Sequence, residues 1–290
     1  MSAYYSNLAM VTSAVLYLVA LIVHSLEWAL ARGSATNERS PREDLLGRLG
    51  LSVTMVAAAV HVFAVVMRGI AAQRAPWGNM YEFITSSLAM AVVIYLVLVF
   101  LRGLSWLGLP VTLLAAIGQG LAVTVFYVNV APLMPALHSV WFVIHIVAAA
   151  LSGAAFSIGG LAAVLYLLKA RGERRAAPLN GYLRRLPSAA VIDRLSYRFH
   201  AFALPLWTFT IAAGAIWAQF AWGRFWGWDP KETWSLVTWI VYVAYLHARA
   251  TAGWKGTRAA VLAVIGLATF WFNFIGVNLL FSGLHSYAGI

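Results

Sequence analysis

Seven histidines are spread through 290 residues that include no cysteine, and one fourteen-residue stretch, WGRFWGWDPKETWS at 222–235, gathers four tryptophans around Arg224, Asp229, Lys231 and Glu232. Imidazole nitrogens are general metal ligands, and tryptophan faces offer contact area to a flat apolar molecule. Arginine or lysine beside such a platform can pair with the carboxylates of an anionic edge. Without cysteine the chain cannot form a disulfide, present a thiolate to a metal or carry out thiol exchange, so any thiol chemistry belongs to another protein.

Tryptophans at a membrane surface commonly anchor helices at headgroup level, one or two per helix end. The density here argues for more. Trp222, Trp226, Trp228 and Trp234 are interleaved with Gly223 and Gly227, which permit close backbone approach. Asp229 is placed as a helix N-cap, Pro230 as the first helical residue and Glu232 as the third member of a capping box. The segment therefore reads as an aromatic platform ending at a helix N-terminus, with Arg224 or Lys231 to meet carboxylates. Haem is a ligand of that shape, and its iron takes axial histidines.

The elements that position these residues follow from composition. Hydrophobic residues make up 62% of the chain, charged residues 10%, and mean hydropathy is +0.82, so lipid is its main solvent. Apolar runs near the roughly 20 residues a span requires occur at 8–30, 49–67, 83–101, 104–128, 137–168, 201–220, 234–248 and 259–281. The expected fold is an all-α integral membrane protein of about eight transmembrane helices with both termini on the outer side. Sixteen of the twenty Lys and Arg residues fall in 31–48, 101–104, 169–200 and 249–258, which the positive-inside rule assigns to the cytoplasm. The net charge of +11 is then an orientation signal and not a nucleic-acid footprint. Helices one to five occupy 1–168, a basic cytoplasmic linker with Pro178, Gly181 and Pro187 occupies 169–200, and helices six to eight with the external segment 222–235 occupy 201–290. No internal repeat is evident.

Depth sorts the histidines. His145 is expected roughly 12 Å below the outer end of helix five, and His285 follows helix eight on the same side, so the two flank the tryptophan segment as bis-histidine ligation requires. His138, seven residues before His145, falls on nearly the same helical face and rivals it. His247 lies near the cytoplasmic leaflet, roughly 20 Å down helix seven, and His24 reaches a similar depth. His61 is in the outer half of helix two, and His200 is expected exposed at the cytoplasmic start of helix six. Two stations at different depths suggest transport. Arg68 and Arg74, on the outer side before PWGNMYEF, read either as snorkelling anchors or as a clamp for propionates.

WGRFWGWDPKETWSLVTW resembles the WWD domain of haem-handling membrane proteins. With PWGNMYEF, PALHSVWFVIHIV, YLHAR and FNFIGVNLLFSGLHSYA, the chain looks most like the CcsA or ResC type of System II cytochrome c biogenesis protein, called CcsB in some lineages. The resemblance implies a subunit that binds haem b as transported substrate and delivers it outward for covalent attachment to the Cys-x-x-Cys-His motif of apocytochrome c. It also implies a ResB/Ccs1-type membrane partner and thioether-forming haem lyase chemistry. Carried onto this chain, His145 and His285 correspond to the external axial ligands, and His247 to an intramembrane ligand whose opposing histidine comes from the partner, with His24 in reserve. The implied location is a bacterial cytoplasmic membrane, or a thylakoid membrane in a plastid-type system.

Two other classes remain. A b-type haem subunit serving a quinone would pair His24 with His247 and His61 with His145 across one bundle. A transporter with an aromatic lid would need no iron ligands at all.

Overall fold

In lipid, apolar side chains face outward and buried polar ones must find partners inside the protein. The computed structural model describes residues 1–31, 39–174 and 181–285, and its first helix follows this rule. Helix α1 (Ser2–Ala31) turns Leu8, Val11, Val15, Leu18, Ile22 and Leu26 outward while burying Ser6, Ser13, Tyr17, His24 and Glu27. After it come α2 (Pro41–Ala72), α3 (Met80–Arg102), α4 (Gly108–Thr124), α5 (Val140–Glu173), α6 (Ala189–Trp222), α7 (Pro230–Ala250) and α8 (Thr257–Trp271). A π-helical turn, Phe272–Gly276, carries α8 on to Leu280. The described residues contain no strand, as the composition predicts for an all-α membrane protein.

Seven of these helices are long and apolar enough to cross a bilayer. The eighth, α7, has 21 residues, about 31 Å at 1.5 Å per residue, but it carries Lys231, Glu232, His247 and Arg249 near its ends. It packs against α6 and α8.

The helices form two sets of four with the same order of neighbours. In the first, α1 packs on α2 and α4, α2 on α3, and α3 on α4. In the second, α5 packs on α6 and α8, α6 on α7, and α7 on α8. Contacts of α3 and α4 with α5 join the sets. The sequence reading expects no internal repeat, yet the order of helix neighbours is the same in both sets. Small residues on α5 allow close packing, with Gly153 against Phe270, Gly159 against His200 and Gly160 against Leu267.

The expected linker at 169–200 is largely helical where described. α5 continues to Glu173, a single turn spans Tyr182–Arg185, and α6 starts at Ala189. The segment is also docked: Tyr182 stacks on Trp28 with ring centroids 3.6 Å apart and donates to the Trp106 carbonyl, and Arg185 pairs with Glu43 at 2.6 Å. Arg32, Arg175 and Pro178, used above for orientation and for the linker, lie outside the described residues. His200 is fully buried, bonded to the Ser196 carbonyl and stacked near Tyr242. Its expected exposure fails because α6 begins eleven residues earlier and presents that face to α5.

Candidate functional site

Two turns, α2–α3 and α6–α7, are built alike. In RAPWGNMYE (74–82) and RFWGWDPKE (224–232), arginine and glutamate stand eight positions apart, with a Trp-Gly step and an N-cap between them. Asn79 caps α3 by accepting the Glu82 N–H at 2.9 Å, and Glu82 reaches back to the Gly78 N–H at 2.8 Å and to Arg74 at 2.6 Å. Asp229 caps α7 in a full capping box with Pro230 at the first turn, as expected. Glu232 accepts the Gly227 N–H at 2.8 Å and the Asp229 N–H at 3.1 Å, and pairs with Arg224 at 3.3 Å.

This geometry reassigns Arg68 and Arg74. Arg68, 1% exposed, bonds Glu82 at 3.0 Å and the Val128 carbonyl at 2.8 Å. With Arg74 it shares one carboxylate, so neither is a snorkelling anchor or a free clamp for propionates. Arg224 is likewise paired with Glu232, through one guanidinium nitrogen, and braces the turn while its side chain stays 32% exposed. Sequence spacing hides these pairs because the partner lies across a turn.

Between the two turns lies a cavity of about 160 Å³ whose wall includes Trp77, Trp226, Phe142, Phe274 and both His145 and His285. His145 is the sixth residue of α5, about 8 Å below its start and so shallower than expected. Its Nδ1 donates to the Thr210 carbonyl at 2.9 Å, which leaves Nε2 with its lone pair. Gly214 gives the ring room, since a Cβ there would lie 2.7 Å from Nδ1. His285 is held the same way: its Nδ1 lies 2.8 Å from Asp229 Oδ2, while the Leu284 N–H donates to Asp229 Oδ1 at 2.7 Å. Burial alone would raise the pKa of the Asp229 carboxyl, but the bonds from His285, Leu284 and the Lys231 N–H outweigh it and hold the pKa below the usual value.

Trp217, absent from the sequence-derived set, joins the two histidines. It is 2% exposed, lies 5.9 Å from the His145 ring at 20° and meets His285 edge-on at 5.7 Å. Trp222 also meets His285 edge-on, at 4.8 Å. Of the expected platform, Trp226 lines the cavity, Trp222 supports His285, Trp234 packs on Phe272 at 4.3 Å, and Trp228 is 68% exposed with φ +60°. The four are therefore not one continuous surface.

His138 is exposed and precedes α5, whose N-cap is Ser139; the seven-residue argument for a shared face fails because no helix connects them. His247 is exposed in the last turn of α7, at the opposite end from the cavity. His24 is buried against Glu27 at 3.3 Å, beside a polar cavity of about 310 Å³ with Arg39 and Arg48. His61 bonds Tyr17 at 3.3 Å. The pairings His24 with His247 and His61 with His145, required of a quinone-linked b-type subunit, are not among the contacts of the described residues.

Fold and site together define a polytopic helical membrane protein with an aromatic cavity flanked by two histidines of free Nε2. Residues 12–285 match the cytochrome c assembly protein family. The chain belongs to that family. It is 35% identical to the cytochrome c biogenesis protein CcsA of Guillardia theta over 256 residues, covering 82% of this chain and 85% of the relative. It is 33% identical to CcsA of Synechococcus sp. (strain JA-3-3Ab), with 85% and 87% covered. Among solved structures, the cytochrome c haem lyase CcmF shares the fold at a TM-score of 0.71 and 15% identity; 98% of this chain is covered and the chain spans about half, 48%, of CcmF.

Proposed function

We propose that the chain binds haem b as cargo at this cavity and presents it, at the outer face of the membrane, for attachment to apocytochrome c. One observation carries the reading: His145 and His285 each have Nδ1 engaged by a protein acceptor and Nε2 free, the second-shell arrangement that orients metal-bound imidazoles. The cavity, at about 160 Å³, is smaller than the roughly 300–1,000 Å³ that encloses a drug-sized ligand. A porphyrin held there would keep one edge outside the cavity, which suits delivery of that edge to a second protein.

The two imidazoles would supply the axial bonds and hold the iron in place. No residue of this chain need act as nucleophile, because the acceptor's thiols supply the attacking sulfur. Each cysteine thiol of the acceptor adds across a haem vinyl: sulfur bonds to one vinyl carbon, the proton passes to the other, and no net oxidation occurs. The chain contributes by positioning the reactants. A ResB/Ccs1-type membrane partner fits the exposure of His247, whose ring is free to meet a ligand on another subunit. In this scheme α7 crosses the membrane with the other seven, both termini lie outside, and the membrane is the bacterial cytoplasmic membrane or its thylakoid equivalent. Sharing of the catalytic step with the partner would make the pair a haem lyase.

The test is the visible spectrum, with pyridine-haemochrome quantitation, of the chain co-expressed with such a partner. His145→Gly and His285→Gly should lose haem or make it prone to oxidation, whereas His138→Gly should match wild type. Unchanged haem in all three variants, or normal cytochrome c maturation without both His145 and His285, would overturn the assignment.

A further inference from the structure

The cavity wall is largely apolar; besides His145, His285 and the Arg224-paired Glu232 it carries Lys231 and Asn273, where α7 meets the end of α8. There Lys231 sends its ammonium across to α8, donating to the Phe274 carbonyl at 3.4 Å and lying 5.9 Å from the centroid of the Phe274 ring. The acids nearest in sequence are already engaged: Asp229 by His285 and the Leu284 N–H, Glu232 by Arg224 and two backbone N–H groups. Among the described residues no carboxylate forms an ion pair with Lys231. Asn273, the residue before Phe274, is 4% exposed, lines the same cavity, and has a side-chain oxygen with no hydrogen-bond partner.

Asn273 lies in the π turn Phe272–Gly276, a local widening of the helix that is frequent at functional sites. A cation without an anion and a buried amide without a partner are each costly in a membrane bundle. Both groups line one cavity, and with the Asn273 amide turned so that its NH2 replaces the unpartnered oxygen, a carboxylate would satisfy both. The ammonium would take the charge, and the amide N–H, after rotation of the side-chain amide, would take the second oxygen.

We propose that the Lys231–Asn273 corner receives a carboxylate of the cargo. Resting on the haem reading above, the proposal fixes orientation: the propionate edge of the porphyrin enters toward α7 and α8, and the opposite, vinyl-bearing edge is left toward the acceptor protein. Lys231 and Asn273 thus determine which edge reacts without touching the reacting atoms.

The full-length chain in lipid nanodiscs is titrated with haemin and with haemin dimethyl ester, in which both propionates are masked, and the Soret shift of histidine ligation is followed. Wild type should bind the free acid roughly tenfold to a hundredfold more tightly than the diester. Lys231→Met should bring the free acid down to the diester's affinity while leaving the diester unchanged, Asn273→Leu should narrow the preference, and Lys231→Arg should keep it. A Lys231→Met chain that retains the wild-type preference overturns the proposal, as does a wild type that binds both compounds equally through His145 and His285; in that case the haem reading stands and the corner alone falls. If wild type binds neither compound, both readings fall together. If Lys231→Arg and Lys231→Met both lose the two ligands, Lys231 is structural and the corner is refuted.

Discussion

Replacing Asp229 by asparagine separates two jobs that one carboxylate performs. Its first is to cap α7, and asparagine caps a helix about as well as aspartate, so folding should change little. Its second is to accept from His285 Nδ1 at 2.8 Å and from the Leu284 N–H at 2.7 Å, one bond on each oxygen. An amide has one oxygen, so Asp229→Asn must turn an NH2 group toward one of these two donors. Either His285 loses its partner or the 283–285 segment that carries it is displaced. Loss of such support for a metal-bound histidine costs roughly 10- to 100-fold in affinity, equivalent to about 1.4–2.8 kcal/mol. Haem per chain, measured by pyridine haemochrome on protein purified with its partner, should fall accordingly, while thermal unfolding and helical circular dichroism stay within the range of wild type. Asp229→Ala should show the same haem loss plus about 1 kcal/mol of lost capping. An Asp229→Asn protein with full haem and an unchanged Soret band would refute the claim that this carboxylate orients His285.

Other outcomes follow from the same geometry. Gly214→Ala should displace the His145 ring, since the new Cβ would lie 2.7 Å from Nδ1, and should lower haem content while helicity is retained. Gly120→Ala in α4, with open space around the added methyl, should instead stabilise the chain by about 0.5–1 kcal/mol and leave haem binding alone, as thermal unfolding in detergent would report. Glu82→Gln leaves Arg68 buried without its counter-ion, a loss of about 3–5 kcal/mol, and should deplete the protein from membranes on immunoblotting. Trp217→Leu removes the ring shared by His145 and His285 and should broaden or shift the Soret band more than Trp228→Leu, whose side chain is 68% exposed.

The sequence by itself determined the class, the helices and the cap. Composition names lipid as solvent, long apolar runs mark the spans, and Asp229-Pro230-x-Glu232 announces the start of α7, because each signal is local and rests on periodicity or backbone chemistry within a few residues. The histidines 145 and 285 were legible as outward candidates for the same reason: their positions relative to helix ends set their depth. Which side chains meet was decided only in three dimensions. Arg68 and Arg74 look available in the sequence yet are claimed by Glu82. His200 looks exposed and is buried, His138 looks like a rival ligand and points outward, and Trp217 touches both candidate ligands across helices with no spacing rule to foretell it. Asn273 carries a signal, one of two amides with Asn278 in an apolar span, but that it lines one cavity with Lys231 is set by the packing of the π turn on α7. Interhelical contacts depend on which faces pack and at what register, and no local pattern encodes that choice.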